Sequence, residues 1–224
     1  WMASIIYGKG HFKMTSMYPV TLNLKGKFCT VVGGGSVALR KVKSLLAQGA
    51  EVTVISPALH PELSAMQGQF VWMNSLYKDG QLEGSFLVIA ATNQREVNHQ
   101  VAQWCEENQM LVNVVDSLQE SSFTVNSAVQ RGHLQLTVST NGVSPAISKK
   151  IRQQLEQQFG AEYGVMLEIV AAARREAMQT IADEEKRRQF LQSLADMELT
   201  ELLQQEPRED VEKRVRQCLS SYWD

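Results

Sequence analysis

Three consecutive glycines separate an apolar run from a segment with helical periodicity. The loop has the sequence Gly33-Gly34-Gly35-Ser36-Val37-Ala38, a GxGxxA pattern between a predicted strand and a predicted helix. In such a loop the first glycine permits a tight turn, the second lets a pyrophosphate approach the backbone, and the small last residue lets the helix lie close to the sheet. Free N–H groups at the helix start would bind the phosphates. The predicted cofactor contacts are Gly33, Gly35, Ser36, Val37 and Ala38; the alternative is a glycine-rich turn that binds nothing.

The end of the next predicted strand bears on which dinucleotide is expected. This strand ends Ile55-Ser56-Pro57, without the Asp or Glu that commonly holds the ribose 2′-hydroxyl of NAD. Ser56 could make a weaker hydrogen bond to that hydroxyl. No arginine follows nearby to hold a 2′-phosphate, so the sequence favours NAD over NADP.

A carboxylate stands at the end of another predicted strand. Asp116 follows Leu111–Val115, at the sheet edge where the ligands of parallel sheets bind. Oxidation by hydride transfer also releases a proton, which requires a base. From the residues alone, a capping or turn aspartate explains this position equally well.

Polar residues near two strand ends are further candidates. Thr92 and Asn93 follow a strongly apolar predicted strand, and by position they should face the ribose or phosphates of a dinucleotide. A strand-ending turn is the alternative. Asn113 lies within a predicted strand and is a candidate for orienting groups near the nicotinamide, or equally a satisfied core amide.

The elements that must position these residues alternate between strands and helices. Residues 27–32 predict a buried strand, residues 37–47 a helix and residues 51–56 a second strand, which together form a βαβ unit. Further strands are predicted at 70–73, 86–91 and 111–115, and a helix at 95–108. This alternation predicts an α/β protein with a doubly wound, Rossmann-type parallel sheet.

The pattern changes after Asp116. Residues 122–125 and 134–139 alternate with period two, which predicts a small separate sheet. Ser144-Pro145 predicts a capped helix start. From Ala146 onward the pattern is helical, with an interruption at Pro207.

Composition excludes several classes of protein. A net charge of −2 gives no global basic field for nucleic acid, and no apolar run approaches the length of a membrane span. The three cysteines form no CxxC pair, which favours reduced thiols in a cytoplasmic protein over a disulfide framework or a Cys-ligated metal. Residues 1–16 have no periodicity and are interpreted as a leader or expression remnant.

Several motifs follow one another in the order of a known family. They are Val31–Lys41, Ala90–Asn93 with Val97-Asn98, Asn113–Asp116, Ser122-Phe123 and Ser139–Pro145. From about Tyr18 to Phe190 the chain resembles precorrin-2 dehydrogenase, the N-terminal module of siroheme synthase. Because no methyltransferase domain follows, the chain resembles the stand-alone form.

The resemblance implies a three-part organisation. It assigns residues 17–116 to an NAD-binding Rossmann domain, 117–148 to a dimerisation region with a short sheet, and 149–224 to a helical domain on the substrate side. The implied assembly is a homodimer. The implied reaction transfers a hydride from precorrin-2 to NAD⁺ with loss of a proton, which gives sirohydrochlorin.

The resemblance also implies roles for individual residues. The aspartate that matches Asp116 is implicated in catalysis, both in dehydrogenation and in the iron insertion that some members perform. A polycarboxylate substrate needs cations, and the candidates are Arg40, Lys41, Arg131 and Lys149, with Lys150 and Arg152 beside them. Solvated helix faces are the alternative for each. Thr140 is expected near the substrate or at the dimer interface.

Three functions remain open at this point. The first is an NAD-dependent precorrin-2 dehydrogenase. The second is a bifunctional enzyme that also acts as a sirohydrochlorin ferrochelatase, although no pair of histidines has metal-ligand spacing; His99 and His133 are interpreted as surface or structural residues. The third is a non-catalytic module that senses NAD.

Overall fold

A computed structural model describes residues 17–223. The interpretation of residues 1–16 lies outside this range. The described chain forms two compact units that meet in sequence between Val125 and Asn126. No helix within residues 17–223 is both long enough and apolar enough to cross a bilayer.

The first unit is built on a five-stranded parallel sheet. Its strands are β1 (Phe28–Val32), β2 (Glu51–Ile55), β3 (Val71–Met73), β4 (Leu87–Ala90) and β5 (Leu111–Val114). Their spatial order is β3-β2-β1-β4-β5, and every neighbouring pair is parallel. The predicted Rossmann-type sheet is therefore confirmed. Each strand lies within a predicted one because strands that are covered on both faces must be apolar along their whole length.

Helices cover both faces of this sheet. They are α1 (Ser36–Ala47), the short α2 (Pro61–Ala65) and α3 (Arg95–Glu107). Successive side chains of a strand point to opposite faces. Accordingly, Val31 packs in one apolar cluster with α1, and Val32 packs in a second cluster with α3. α1 buries Ala38, Leu39, Val42 and Leu45, the spacing of a single helical face.

The segment after Asp116 returns to the sheet and covers its edge. The strand predicted at residues 122–125 is wrong, because these residues form no ladder. Instead, the hydroxyl of Ser122 accepts a hydrogen bond from the N–H of Val112 (2.8 Å), and that of Ser121 accepts one from Val114 (2.9 Å). Phe123 packs against the apolar cluster beneath α1. This covering of the open edge of β5 explains why the first unit continues past Asp116 to Val125.

The second unit begins with a hairpin and continues as helices. β6 (Ser127–Arg131) pairs antiparallel with β7 (Leu134–Val138). The sequence predicts β7 within residues 134–139 but gives no signal for β6. Five helices follow: α4 (Pro145–Gln158), α5 (Glu162–Thr180), α6 (Glu184–Asp196), α7 (Leu199–Gln205) and α8 (Arg208–Ser220).

The helical part has its own core and more interruptions than the sequence indicates. Ser144 caps α4, with its hydroxyl accepting a hydrogen bond from the N–H of Ile147, and Pro145 follows as predicted. Pro207 separates α7 from α8, also as predicted. The fully buried ring of Phe190 lies in a cluster that draws on α5 to α8. Three further interruptions, at residues 159–161, 181–183 and 197–198, were not predicted.

Candidate functional site

A cavity of about 780 Å³ opens at the carboxyl ends of the parallel strands in the first unit. The loops that follow β1, β2, β4 and β5 all contribute to its lining. In doubly wound sheets this edge is where ligands bind. The predicted site residues that line it are Gly33, Gly35, Ser36, Val37, Ser56, Thr92, Asn93 and Asp116.

The glycine loop is packed so tightly that two of its positions have no room for a side chain. Gly33 has φ +123°, and a Cβ there would collide with the carbonyl of Ala91. A Cβ on Gly34 would collide with the carbonyl of Ala58 and lie 2.6 Å from the Ser56 hydroxyl. Gly34 also accepts a hydrogen bond from the N–H of His60 at 2.7 Å. Sequence reasoning missed Gly34, because the motif leaves that position unspecified.

Gly35 differs from the other two glycines. A Cβ on it would have no atom within 4 Å, so the space above its backbone is open. Gly35 is also the N-cap residue of α1, where no side chain caps the helix and no acidic residue lies in the first turn. Unsatisfied N–H groups and the positive end of the helix dipole are suited to an anion. The loop therefore fits the pyrophosphate of a dinucleotide, with Gly35, Ser36 and Val37 closest to it.

The loop after β2 forms one wall of the cavity. Ser56 is buried (7% exposed), and its hydroxyl donates a hydrogen bond to the carbonyl of Ala58 (2.7 Å). Its oxygen retains lone pairs that can accept a hydrogen bond from a ribose hydroxyl. Neither lysine nor arginine is present among the described residues that line the cavity.

The loop after β4 forms another wall and is shaped by Asn98. The amide oxygen of Asn98 accepts hydrogen bonds from the N–H (3.1 Å) and hydroxyl (2.7 Å) of Thr92, and its amide nitrogen donates to the Thr92 carbonyl (3.1 Å). Asn98 itself is buried. Sequence reasoning gave it no role, although it lies within the Val97-Asn98 motif. Because Asn98 occupies the polar groups of Thr92, the neighbouring Asn93, which is exposed, is the freer side chain for a ligand.

Asp116 contributes the single carboxylate found among the described residues that line the cavity. Its backbone has φ +65°, and a non-glycine residue in that region costs about 1–3 kcal/mol. The side chain is exposed. No described residue donates a hydrogen bond to its carboxylate. A strained, unpaired carboxylate at a cavity suits a proton acceptor better than a structural cap.

Two predicted cofactor contacts do not line the cavity. The amide of Asn113 donates a hydrogen bond to the Phe123 carbonyl (3.1 Å) and is buried. This environment fits the alternative, a core amide with a hydrogen-bond partner, and the role of Asn113 beside the nicotinamide stays a prediction. Ala38 is fully buried between α1 and the sheet, where it permits close packing.

The five predicted substrate contacts are also absent from the lining of this cavity. Arg40 and Lys41 lie on α1, and burial together with the charge of Arg40 lowers the pKa of Lys41. The guanidinium of Arg131 donates hydrogen bonds to the carbonyls of Phe159 (3.0 Å), Glu156 and Gln130.

Arg131 therefore closes the end of α4, and its role in substrate binding stays a prediction. Thr140 is part of the capping turn of the same helix, since its hydroxyl donates to the Ser144 carbonyl (3.1 Å). Lys149 is exposed on α4. No three His, Cys, Asp or Glu side chains within residues 17–223 are grouped to hold a metal ion.

Comparisons with known proteins agree with this geometry. Residues 20–127 match the family described as putative NAD(P)-binding, and residues 131–158 match the family described as sirohaem biosynthesis protein central. The first match contains the whole glycine loop and Asp116. The second contains Arg131 and α4.

Relatives with known names cover most of the chain. It is 37% identical over 210 residues to a siroheme synthase of Thioalkalivibrio sulfidiphilus, which is 91% of this chain and 43% of that protein. A siroheme synthase of Mannheimia succiniciproducens is 34% identical over 200 residues, or 88% of this chain and 42% of that protein. The chain thus spans less than half the length of these relatives.

A solved structure matches with a TM-score of 0.76 and 26% identity. It is "SirC, precorrin-2 dehydrogenase", and the match covers 90% of this chain and all of that one. The fold of both units is therefore shared with a protein of comparable extent.

The three glycines give a test of the cavity. Replacing Gly34 by alanine should destabilise the fold, since the methyl group would meet backbone atoms. Gly35→Asp should leave the melting temperature unchanged, because the space at that position is open. It should nevertheless weaken dinucleotide binding at least about tenfold, through bulk and like charge. Calorimetric titration and thermal melting measure both effects, and normal affinity in a folded Gly35→Asp protein would contradict the site.

The order of the matched families follows the order of the structure. The NAD(P)-binding match falls on the sheet with its glycine loop, and the sirohaem match runs from the last residue of β6 through β7 and α4. Residues 20–127 are thus similar to the putative NAD(P)-binding family and residues 131–158 to the central domain of the sirohaem biosynthesis proteins, which confirms the family resemblance found in the sequence.

Proposed function

We propose that this protein catalyses the NAD-dependent oxidation of precorrin-2 to sirohydrochlorin in siroheme biosynthesis. The observation that carries the proposal is one cavity lined both by an uncapped helix start beside Gly35 and by the unpaired carboxylate of Asp116. The first suits a pyrophosphate and the second suits a proton acceptor. The match that covers 90% of this chain and all of a protein titled precorrin-2 dehydrogenase supports this choice of substrate.

The residues of the cavity favour NAD as the cofactor. A 2′-phosphate needs cations, and the described lining offers neither lysine nor arginine. The buried hydroxyl of Ser56 follows β2, where a ribose hydroxyl is held in related sheets. When bound, the dinucleotide would supply the hydride acceptor.

Asp116 would take the proton that the reaction releases. Oxidation of precorrin-2 removes a hydride and a proton, and the proton needs an acceptor close to the ring. The exposed carboxylate of Asp116 is not neutralised by any described residue. Thr92 and Asn93 would shape the cofactor pocket at the loop after β4, with Asn98 fixing the position of Thr92.

The carboxylates of the substrate would be bound by cations outside this lining. Lys149 remains a proposed contact, because its ammonium is exposed and no described acidic residue pairs with it. Arg40 is likewise exposed on α1. Thr140 would act on the substrate only through the turn before α4 that it stabilises.

We also propose a cytoplasmic location. Cys29, Cys105 and Cys218 are free thiols, as expected in a reducing compartment. Burial raises the pKa of Cys29 and of Cys105 to about 11, so both are inert core residues.

A homodimer would bury an apolar stripe on the second unit. Val143, Ile147 and Ile151 are 68%, 53% and 37% exposed. Ile147 and Ile151 lie one turn apart on the same face of α4, and Val143 lies just before the N-cap of this helix. A continuous exposed stripe of large aliphatic side chains is typical of a subunit interface. We therefore propose that a second copy of the chain covers it.

The oligomeric state tests the dimer. Sedimentation should give a dimer for the wild type at micromolar concentration. Ile147→Asp should shift it to the monomer, because a charge would be buried. Met178→Asp is the matched control, since Met178 is also exposed (56%) but lies on α5, and it should remain dimeric. A monomeric wild type would rule the interface out.

Turnover tests the activity. Under anaerobic conditions, precorrin-2 and NAD⁺ should produce NADH, seen by its absorbance, and NADP⁺ should support a much lower rate. Asp116→Asn should fold, bind NAD with unchanged affinity and lose about 10²-fold or more in kcat, the usual effect of removing a general base.

Two controls make this test specific. Glu185→Gln changes an exposed carboxylate that pairs with Arg188 on α6, and it should retain the wild-type rate. Full activity of Asp116→Asn would remove this residue from the mechanism. Binding of NAD without any turnover of precorrin-2 would favour the non-catalytic NAD-sensing module.

A further inference from the structure

Hydrogen bonds within residues 114–121 support the turn that carries Asp116. Ser117 donates its N–H to the Val114 carbonyl (3.2 Å), so the chain reverses directly after β5. The hydroxyl of Ser121 lies 2.6 Å from the Ser117 carbonyl and accepts a hydrogen bond from the Val114 N–H (2.9 Å). These contacts hold the two ends of the turn together. They do not involve the side chains of Asp116 and Glu120.

A second contact, from α3, also supports this turn. Nδ1 of His99 lies 2.6 Å from Oε1 of Glu120. The Glu120 side chain is 23% exposed, less than the 54% of His99. Hydrogen bonding from Ser117, and then from His99, lowers the pKa of the Glu120 carboxyl, and the charge of Arg95 acts in the same direction. Glu120 is thus an ionised acceptor that joins the turn to the helix.

The same helix also holds a second wall of the cavity, which the loop after β4 forms. Val97 lines the cavity, and the adjacent Asn98 fixes Thr92 through its buried amide. His99, the next residue, points outward to Glu120. Two consecutive side chains of α3 therefore tie the loop after β4 and the loop after β5 to one rigid element.

We propose that Glu120 is a positioning residue, which accepts a hydrogen bond from His99 and thereby keeps the Asp116 turn fixed at the cavity. This inference rests on the proposed function, in which Asp116 accepts a proton. Asp116 has the backbone strain of a left-handed residue (φ +65°), and such a conformation persists only when its surroundings hold it. Glu120 is the first side chain after this turn that connects it to another element.

The melting temperature and the catalytic rate together distinguish a positioning role from a contribution to the stability of the fold. An exposed ion pair adds little to the stability of a whole domain. Loss of the His99–Glu120 contact should therefore leave the melting temperature nearly unchanged and act on the turn alone. A displaced catalytic group lowers the rate strongly even when the fold is intact.

The test uses variants of the full chain. Glu120→Ala and His99→Ala should each lower kcat about tenfold, with unchanged KM for NAD⁺ and unchanged melting temperature. His99→Asn should restore the rate to near wild type, since an asparagine amide places a donor close to the position of Nδ1. Lys43→Ala is the matched control, because it breaks another exposed pair in the same unit, Lys43–Glu62 at 2.8 Å, and it should have no effect.

A second measurement does not depend on turnover. Hydrogen exchange of the amides of residues 115–121 should be about tenfold faster in Glu120→Ala, while the amides of β1 and β4 remain protected. Unchanged exchange in that segment, or an unchanged kcat in an active enzyme, overturns the positioning role. If the wild type fails to oxidise precorrin-2, the proposed function falls and takes this inference with it, whatever the exchange rates show.

Discussion

The close approach of backbone to backbone at the glycine loop is the constraint on which the rest of the site depends. Gly33 lies against the carbonyl of Ala91, and Gly34 lies against that of Ala58. The loops after β2 and β4 are therefore seated directly on the loop after β1. This arrangement leaves Gly35 and the start of α1 open to the cavity. A single added methyl group at Gly33 or Gly34 would separate these loops, and the cavity would lose its walls.

Helix α3 completes the arrangement from the other side. Its residues Val97, Asn98 and His99 contact, respectively, the cavity, the loop after β4 and the loop after β5. The chemistry proposed here needs an anion site and a proton acceptor at fixed positions. The glycine loop determines the first, and the turn at Asp116 determines the second. Both are backbone conformations that ordinary residues avoid, so neighbouring contacts must hold them.

Most of the first unit follows from the sequence, because its signals are local. The continuous apolar runs predict β1 to β5, and the glycine pattern predicts the start of α1. The failures have a common cause, which is contact between residues distant in sequence. Ser122 contacts β5 at Val112 alone, where its N–H donates to the carbonyl and its hydroxyl accepts from the N–H, so no strand ladder forms. The sequence does not indicate that the guanidinium of Arg131 donates a hydrogen bond to the carbonyl of Phe159, which lies 28 positions away.

In the candidate site, too, the sequence predicts the local features but not the contacts between distant residues. The sequence indicates which loops meet, since parallel strands end at one edge, and it places Asp116 there. It does not indicate that the amide of Asn113 donates a hydrogen bond to the Phe123 carbonyl. It also does not indicate that Gly34 has no room for a side chain. One signal in the sequence could have identified Asn98: it is a polar residue on the buried face of an amphipathic helix, where a hydrogen-bond partner is required.

The central claim is that the backbone at the start of α1 binds the pyrophosphate of NAD. Amide NMR of ¹⁵N-labelled protein, titrated with NAD⁺, observes that backbone directly. We expect saturable shifts at the amides of residues 34–37 and of residues 92–94, with little change at β3. If these amides do not respond to millimolar NAD⁺, or if the shifts cluster away from the cavity, the account is contradicted.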